Sequence, residues 1–221
     1  QVYIADDRDD VLIVYQNFDD SLHRLTSNTF DYDPKYIKMT IEGESLTLED
    51  GVFGMALSPV TNNLYYSPLS SHGLYYINTE PFMKSQYGKN NVQYNGVEDI
   101  YNTQLSAKAV SKNDVLFFGF VHNSAVGCLN EDQPIQRQNI DMIAQNKKTL
   151  QMIIGMKILK DLQQGKINRT QSNEYMILSN RIQKIVNNDF NFDEVNFRIL
   201  NVNNLIKNTH CARSDIQNNC Q

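Results

Sequence analysis

The sequence predicts an all-β fold made of repeated groups of short strands, and three observations lead there. Runs rich in Val, Ile, Tyr and Phe recur with turn residues between them. Leu64-Tyr65-Tyr66 in "NLYYSPL" returns ten residues later as Leu74-Tyr75-Tyr76 in "GLYYINT". The runs fall into about four groups of about four strands, at spacings of roughly 40 to 60 residues, the pattern of propeller blades.

The first group reads "VYIADD", "VLIVYQ", "SLHRL" and "YIKMTIEG", separated by Asp-rich or Pro-containing turns. The second is "GVFGMALSP", "NLYYSPL", "GLYYINT" and "NVQYNG". Its middle two strands join through Ser70-Ser71-His72-Gly73. Alternation places Leu64 and Tyr66 on one face and Tyr65 on the other, with Tyr75 likewise opposed to Leu74 and Tyr76. Aromatic pairs across neighbouring strands bind a sheet together, so packing is the plainest role for these tyrosines. The third group is "LSAKAVS", "VLFFGFV", "SAVGCLN" and "NIDMIAQ"; the fourth is "LQMIIGMKIL", "EYMILSN", "RIQKIV" and "EVNFRIL". Within the fourth, residues 149–162 are apolar at nearly every position, so periodicity alone does not separate strand from helix. Ile153, Ile154 and Ile158 favour extended chain, and Gly155 weakens a helix, which decides for a strand. Residues 202–210, "VNNLIKNTH", read as a short terminal helix. The polar residues 212–221 read as a disordered tail, leaving 1–211 as one partial propeller.

Composition narrows the function. The 221 residues carry a net charge of −5, which argues against a nucleic-acid partner that would need a basic face. No run approaches the roughly 18 apolar residues of a membrane span. The chain opens on Gln1-Val2-Tyr3, already strand-like, the pattern expected of a processed or partial chain. Three cysteines, Cys128, Cys211 and Cys220, lack the spacing of a metal site. A sequon at Asn168-Arg169-Thr170 and a long-range disulfide would both suit the secretory pathway.

Motifs that carry chemistry are scarce. "DDRDD" at 6–10 clusters carboxylates as a calcium loop would, but it lacks the alternating ligands and distal Glu, and a charged hairpin turn explains it. The four histidines are scattered, so neither zinc nor any other metal is expected. His122 lies six residues before Cys128, a spacing that raises a Cys–His nucleophile. The apolar setting "SAVGC" and the lack of an orienting group favour a structural cysteine instead. There is no nucleophile elbow, phosphate loop or dinucleotide fingerprint, and no cofactor is expected.

The segments "GMALSP", "TNNLYYSPLSSHGLYY", "LQM", "LSNR", "NNDFNFDEVNFRIL" and "IKNTHC" resemble the major royal jelly proteins of honeybees, members of the wider Yellow family of insects. The resemblance runs from Val2 to about Cys211. It implies a secreted, N-glycosylated β-propeller of the six-bladed Yellow type, of which this chain would be a partial ring of about four blades. The earlier blades and signal peptide would lie outside the matched part. Three departures stand out: Leu129 where royal jelly proteins commonly carry Trp, Ile182 where amine-binding relatives carry an aromatic, and the extra thiol of Cys220.

The resemblance implies a nutritive and structural glycoprotein of royal jelly that acts without catalysis. Asn-rich stretches such as "NVNNLIKN" suit a nitrogen store, and they suit turns equally. It also implies self-association, or assembly with the small helical protein apisimin and with sterol. A second possibility is ligand binding in the central cavity, as in salivary relatives that bind biogenic amines. Phe53 would then offer an aromatic face and Asn180 an amide oxygen to an alkylammonium group, with Ile182 nearby. A third, dopachrome conversion, would need a positioned base that the sequence does not offer. Among the cysteines, Cys128 is expected to pair with Cys211 as an anchor against fraying, leaving Cys220 free or intermolecular.

Overall fold

The computed structural model describes residues 1–83, 92–159, 174–203 and 211. Strands β1 (Val2–Asp6), β2 (Val11–Gln16) and β3 (Ser21–Thr26) form a three-stranded antiparallel sheet. The Asp-rich residues 7–10 make the turn between its first two strands. The expected fourth strand of this group is a separate hairpin, β4 (Lys38–Ile41) with β5 (Glu44–Thr47). Glu42 and Gly43, at φ of 50° and 86°, make the two-residue turn with both centres left-handed, whose twist matches a tight hairpin. The segment therefore folds back on itself, and the first sheet ends at β3.

The second group folds as read. β6 (Val52–Leu57), β7 (Asn63–Pro68), β8 (Leu74–Asn78) and β9 (Tyr94–Val97) pair in that order, with a short helix α1 (Glu80–Met83) between β8 and β9. Tyr65 stands opposite Tyr76 and Tyr66 opposite Tyr75. The third group is β10 (Leu105–Val110), β11 (Val115–Phe120), β12 (Ala125–Asn130) and β13 (Ile140–Gln145), again in order. Every residue of β11 and β12 is buried, which explains their continuous apolar character. The fourth sheet has three strands, β14 (Met152–Leu159), β15 (Glu174–Asn180) and β16 (Phe197–Asn203). "RIQKIV", read as a strand, is instead the helix α2 (Ile182–Val186). Ile182 packs against the core and Gln183 is buried, whereas Ile185 and Val186 are 42% and 38% exposed, so the segment is a short surface helix and not a buried strand. Val202 and Asn203 continue β16 where a terminal helix was expected; residues 204–210 and 212–221 lie outside the described residues.

Strand β10 lies between β6 and β14, and β1 touches β6, so the first strand of each sheet faces a common axis and the sheets stack as blades. Alternation then splits the apolar residues into three seams. Leu12, Val14, Val52, Leu64, Tyr66 and Ile77 fill the first, between sheets one and two. Tyr65, Leu74, Leu116, Phe118, Phe120 and Leu129 fill the second. Val115, Phe117, Val126, Ile153, Tyr175 and Ile177 fill the third. A buried side chain of this kind contributes about 1.5–3 kcal/mol. Close approach of the inner strands needs Gly54, because a Cβ there would lie 2.4 Å from the Ser106 carbonyl oxygen on β10. On the same strand Lys108 is 5% exposed and its Nζ donates to that carbonyl at 3.0 Å. Burial pushes its ammonium down to about 7.

Cys128 on β12 and Cys211 are bonded, with Cα atoms 6.1 Å apart, and both sulfurs belong to the third seam. The bond joins the third sheet to chain beyond β16, across a sequence separation of 83. Closing a loop of that length stabilises by about 4–5 kcal/mol on chain-entropy grounds. The double substitution Cys128→Ser with Cys211→Ser should therefore lower unfolding free energy by about that amount in denaturant titration. A loss below about 1 kcal/mol would show that the third seam holds without its latch.

Candidate functional site

The hairpin β4–β5 sits where the blades meet. Its Met39, Ile41 and Leu46 are buried with Leu69 just past β7, Val121 just past β11 and Met152 of β14. Polar contacts fasten it at the rim. Ser124 Oγ donates to Glu42 at 2.7 Å, and His122 Nδ1 lies 3.2 Å from the Thr40 carbonyl. Asn187 Nδ2 donates to the Ser45 carbonyl at 3.0 Å, and Lys184 pairs with Glu44 at 3.0 Å. One short hairpin thus ties the third sheet and α2 together over an apolar layer.

This layer receives two of the three candidate ligand residues. Phe53 and Ile182 both pack against it. Asn180 stands opposite Met152, a member of the layer. It is 8% exposed and its Oδ1 has no hydrogen-bond partner. Gln183, which sequence reasoning missed, lies one turn further on α2; its Nε2 donates to Gln151 at 2.9 Å while its Oε1 is also unpartnered. Buried acceptors left unmatched cost about 1–3 kcal/mol each. Chemically this end of the fourth sheet can accept hydrogen bonds from a donor group. The space beside Phe53 is occupied by the hairpin's own side chains.

His72 shows what the turn "SSHG" is for. It is 8% exposed, its ring stacks on Tyr36 at 3.7 Å, and its Nδ1 lies 3.1 Å from Asp99. Burial lowers its pKa, against the opposing pull of Asp99 and Asp33. Ser70 in the same turn accepts from the Asp33 amide and donates through Oγ to the Leu48 carbonyl. The turn is a buried junction, held by segments on both sides.

Cys128, raised as a nucleophile, is committed to the disulfide. Asp141 lies close to both sulfurs, but the two sulfurs are bonded to each other and so are not the thiolates that would ligate a metal. Asn168 and Cys220 lie outside the described residues. The Asp-rich turn pairs Asp9 with Arg24 at 3.0 Å on the surface. Behind it, burial raises the Asp50 carboxyl to about 6, with the charges of Asp7 and Asp10 adding to the effect. Asp10 has a buried Oδ1 without a partner and is itself raised by burial and by Asp31.

An all-β stack of antiparallel blades about a common axis, latched by a disulfide and capped by a hairpin, defines the protein as blades of a β-propeller. The family described as Major royal jelly protein matches residues 1–211. Major royal jelly protein 6 of Apis mellifera is 70% identical over 100% of this chain and 51% of its own length. Major royal jelly protein 2 is 68% identical over 100% of the chain and 50% of its own length; protein 1 is 60% identical over 97% and 50%. The chain belongs to the major royal jelly protein family, and it spans about half the length of these relatives. Among solved structures, virginiamycin B lyase from Staphylococcus aureus aligns over 79% of this chain and 58% of its own, at 8% identity and a TM-score of 0.40. That likeness is too distant to bear on function.

The Asp50 carboxyl supplies a pH test. Its folded pKa, about 6, lies above the usual value of 3.8, so the native state binds the extra proton between those limits. Its contribution to stability is therefore present below about pH 4 and lost as pH rises through 6. Asp50→Asn should stabilise the protein relative to the unmodified chain above pH 6, with the difference vanishing below pH 4. Thermal midpoints that show no difference at either pH would contradict the buried-carboxylate reading.

Proposed function

We propose that this chain serves in a secreted, non-enzymatic glycoprotein of the royal jelly type, a nutritive and structural protein of larval food. The observation that carries the reading is the 70% identity to a major royal jelly protein over the whole chain. The disulfide supports passage through an oxidising compartment, and Asn168 is the position for the glycan. No helix of the described residues is long and apolar enough to cross a membrane. The groups most open to chemistry are spent on structure: Cys128 in its bond, His72 against Tyr36.

Assembly belongs to the same reading. The outer face of the first sheet exposes Val2, Ile4 and Leu22, at 50%, 45% and 67%; that of the fourth exposes Phe197 and Ile199, at 54% and 71%. Contiguous apolar sheet faces of this sort mark contact surfaces. Further blades, a second copy, or an apisimin-like helical partner with sterol would each cover them.

Peptide mass spectrometry of larval jelly tests the reading. Peptides unique to this chain should be abundant there, with Asn168 occupied by glycan and digestion by larval gut proteases proceeding to free amino acids. Incubation with dopachrome should give no saturable, heat-labile turnover. Absence from the jelly, or such turnover, would overturn the proposal.

A further inference from the structure

A groove of about 480 Å³ opens between the second and third sheets, away from the hairpin. Tyr65, Tyr76, Asn63 and Asn95 line one wall, and Glu131 with its following residues lines the other. The two tyrosine rings lie 5.5 Å apart at 44°, opposite one another on β7 and β8. They form a tilted aromatic wall whose inner edge belongs to the second seam.

Glu131 is fixed in the lining of this space by neutral donors from the neighbouring blade. Ser58 Oγ donates to one carboxylate oxygen at 2.8 Å and Thr61 Oγ1 to the other at 2.9 Å. No lysine or arginine of the described residues pairs with it. Asp132 adds a second carboxylate to the lining, and no cationic side chain of the described residues joins the wall. The negative charge is felt in the wall itself: the Tyr65 hydroxyl is held above the ordinary tyrosine range by burial first and by Glu131 second. A carboxylate oriented by hydroxyls, beside two aromatic rings, with amide groups at the rim, is complementary to one kind of ligand. It needs a positive charge to answer Glu131 and a short carbon chain to lie along the rings.

We propose that this groove is a binding site for a small primary-ammonium compound, its ammonium at Glu131 and its carbon chain against Tyr65 and Tyr76. Nothing in the proposal depends on the jelly-protein function. Among the described residues the site is assembled from the β6–β7 turn, β7, β8, β9 and the β12–β13 turn.

Calorimetric titration of the whole chain with 1,5-diaminopentane, at neutral pH and low salt, tests it. Saturable binding is expected, weakening as salt screens the charge, and 1,5-pentanediol of the same shape should not bind. Nα-acetyl-lysinamide distinguishes the source of the ammonium: binding by both amines supports a site open to protein lysine as well, and binding by the diamine alone supports a free amine. Glu131→Gln should weaken binding at least tenfold. Because Glu131 also braces Ser58 and Thr61, Val97→Lys provides the independent variant. Val97 lines the groove and is 36% exposed, so a lysine there adds positive charge without touching the core, and it too should weaken binding at least tenfold. Failure of both amines to bind, equal binding by the diol, or unchanged affinity in Val97→Lys would overturn the proposal.

Discussion

The second and third sheets each have two apolar faces, and both faces must be kept from water. That constraint organises the rest. Tyr65 and Tyr66 are adjacent in sequence yet serve different seams, the first with Leu74 and Phe118, the second with Val14 and Phe30. The second and third sheets are the ones covered on both sides, which is why β11 and β12 have no exposed residue. Aromatic contacts sharpen these seams: Phe30 meets Tyr66 at 5.0 Å, Tyr101 stacks on Phe120 at 4.4 Å, and Phe117 meets Tyr175 at 4.9 Å. Such pairs add about 0.5–1.5 kcal/mol each beyond their buried area.

The remaining devices manage what stacking leaves undone. Where the blades converge, the β4–β5 hairpin supplies Met39 and Ile41 as a cap, and Glu42, Glu44 and Ser45 fasten it to neighbours. Beyond β16, the disulfide ties the chain back to β12. The first and fourth sheets expose apolar residues on their outer faces, Val2, Ile4 and Leu22 on one and Phe197 and Ile199 on the other.

Much of this was legible in the residues. "NLYYSPL" and "GLYYINT" declared themselves as paired strands because alternation and the short connection agreed, and the buried third sheet showed as "VLFFGFV" and "SAVGCLN". The hairpin β4–β5 is hidden in the sequence because "YIKMTIEG" has the composition of a single strand, and the left-handed φ of Glu42 and Gly43 that turns it shows only in the fold. Helix α2 hid behind the β-branched Ile182, Ile185 and Val186. The polar groove left no trace in the sequence, since Ser58 and Thr61 reach Glu131 from some 70 residues away. Lys108 gave no sign of burial either, because a lysine in a strand usually lies on the wet face.

Native-state hydrogen exchange followed strand by strand tests the central claim, that stability flows from the two doubly covered sheets. Amides of β7, β8, β11 and β12 should exchange most slowly, through near-global unfolding, while those of β1, β3 and β16 exchange by smaller openings. Equal protection across all the sheets, or slowest exchange in β1 to β3, would contradict it.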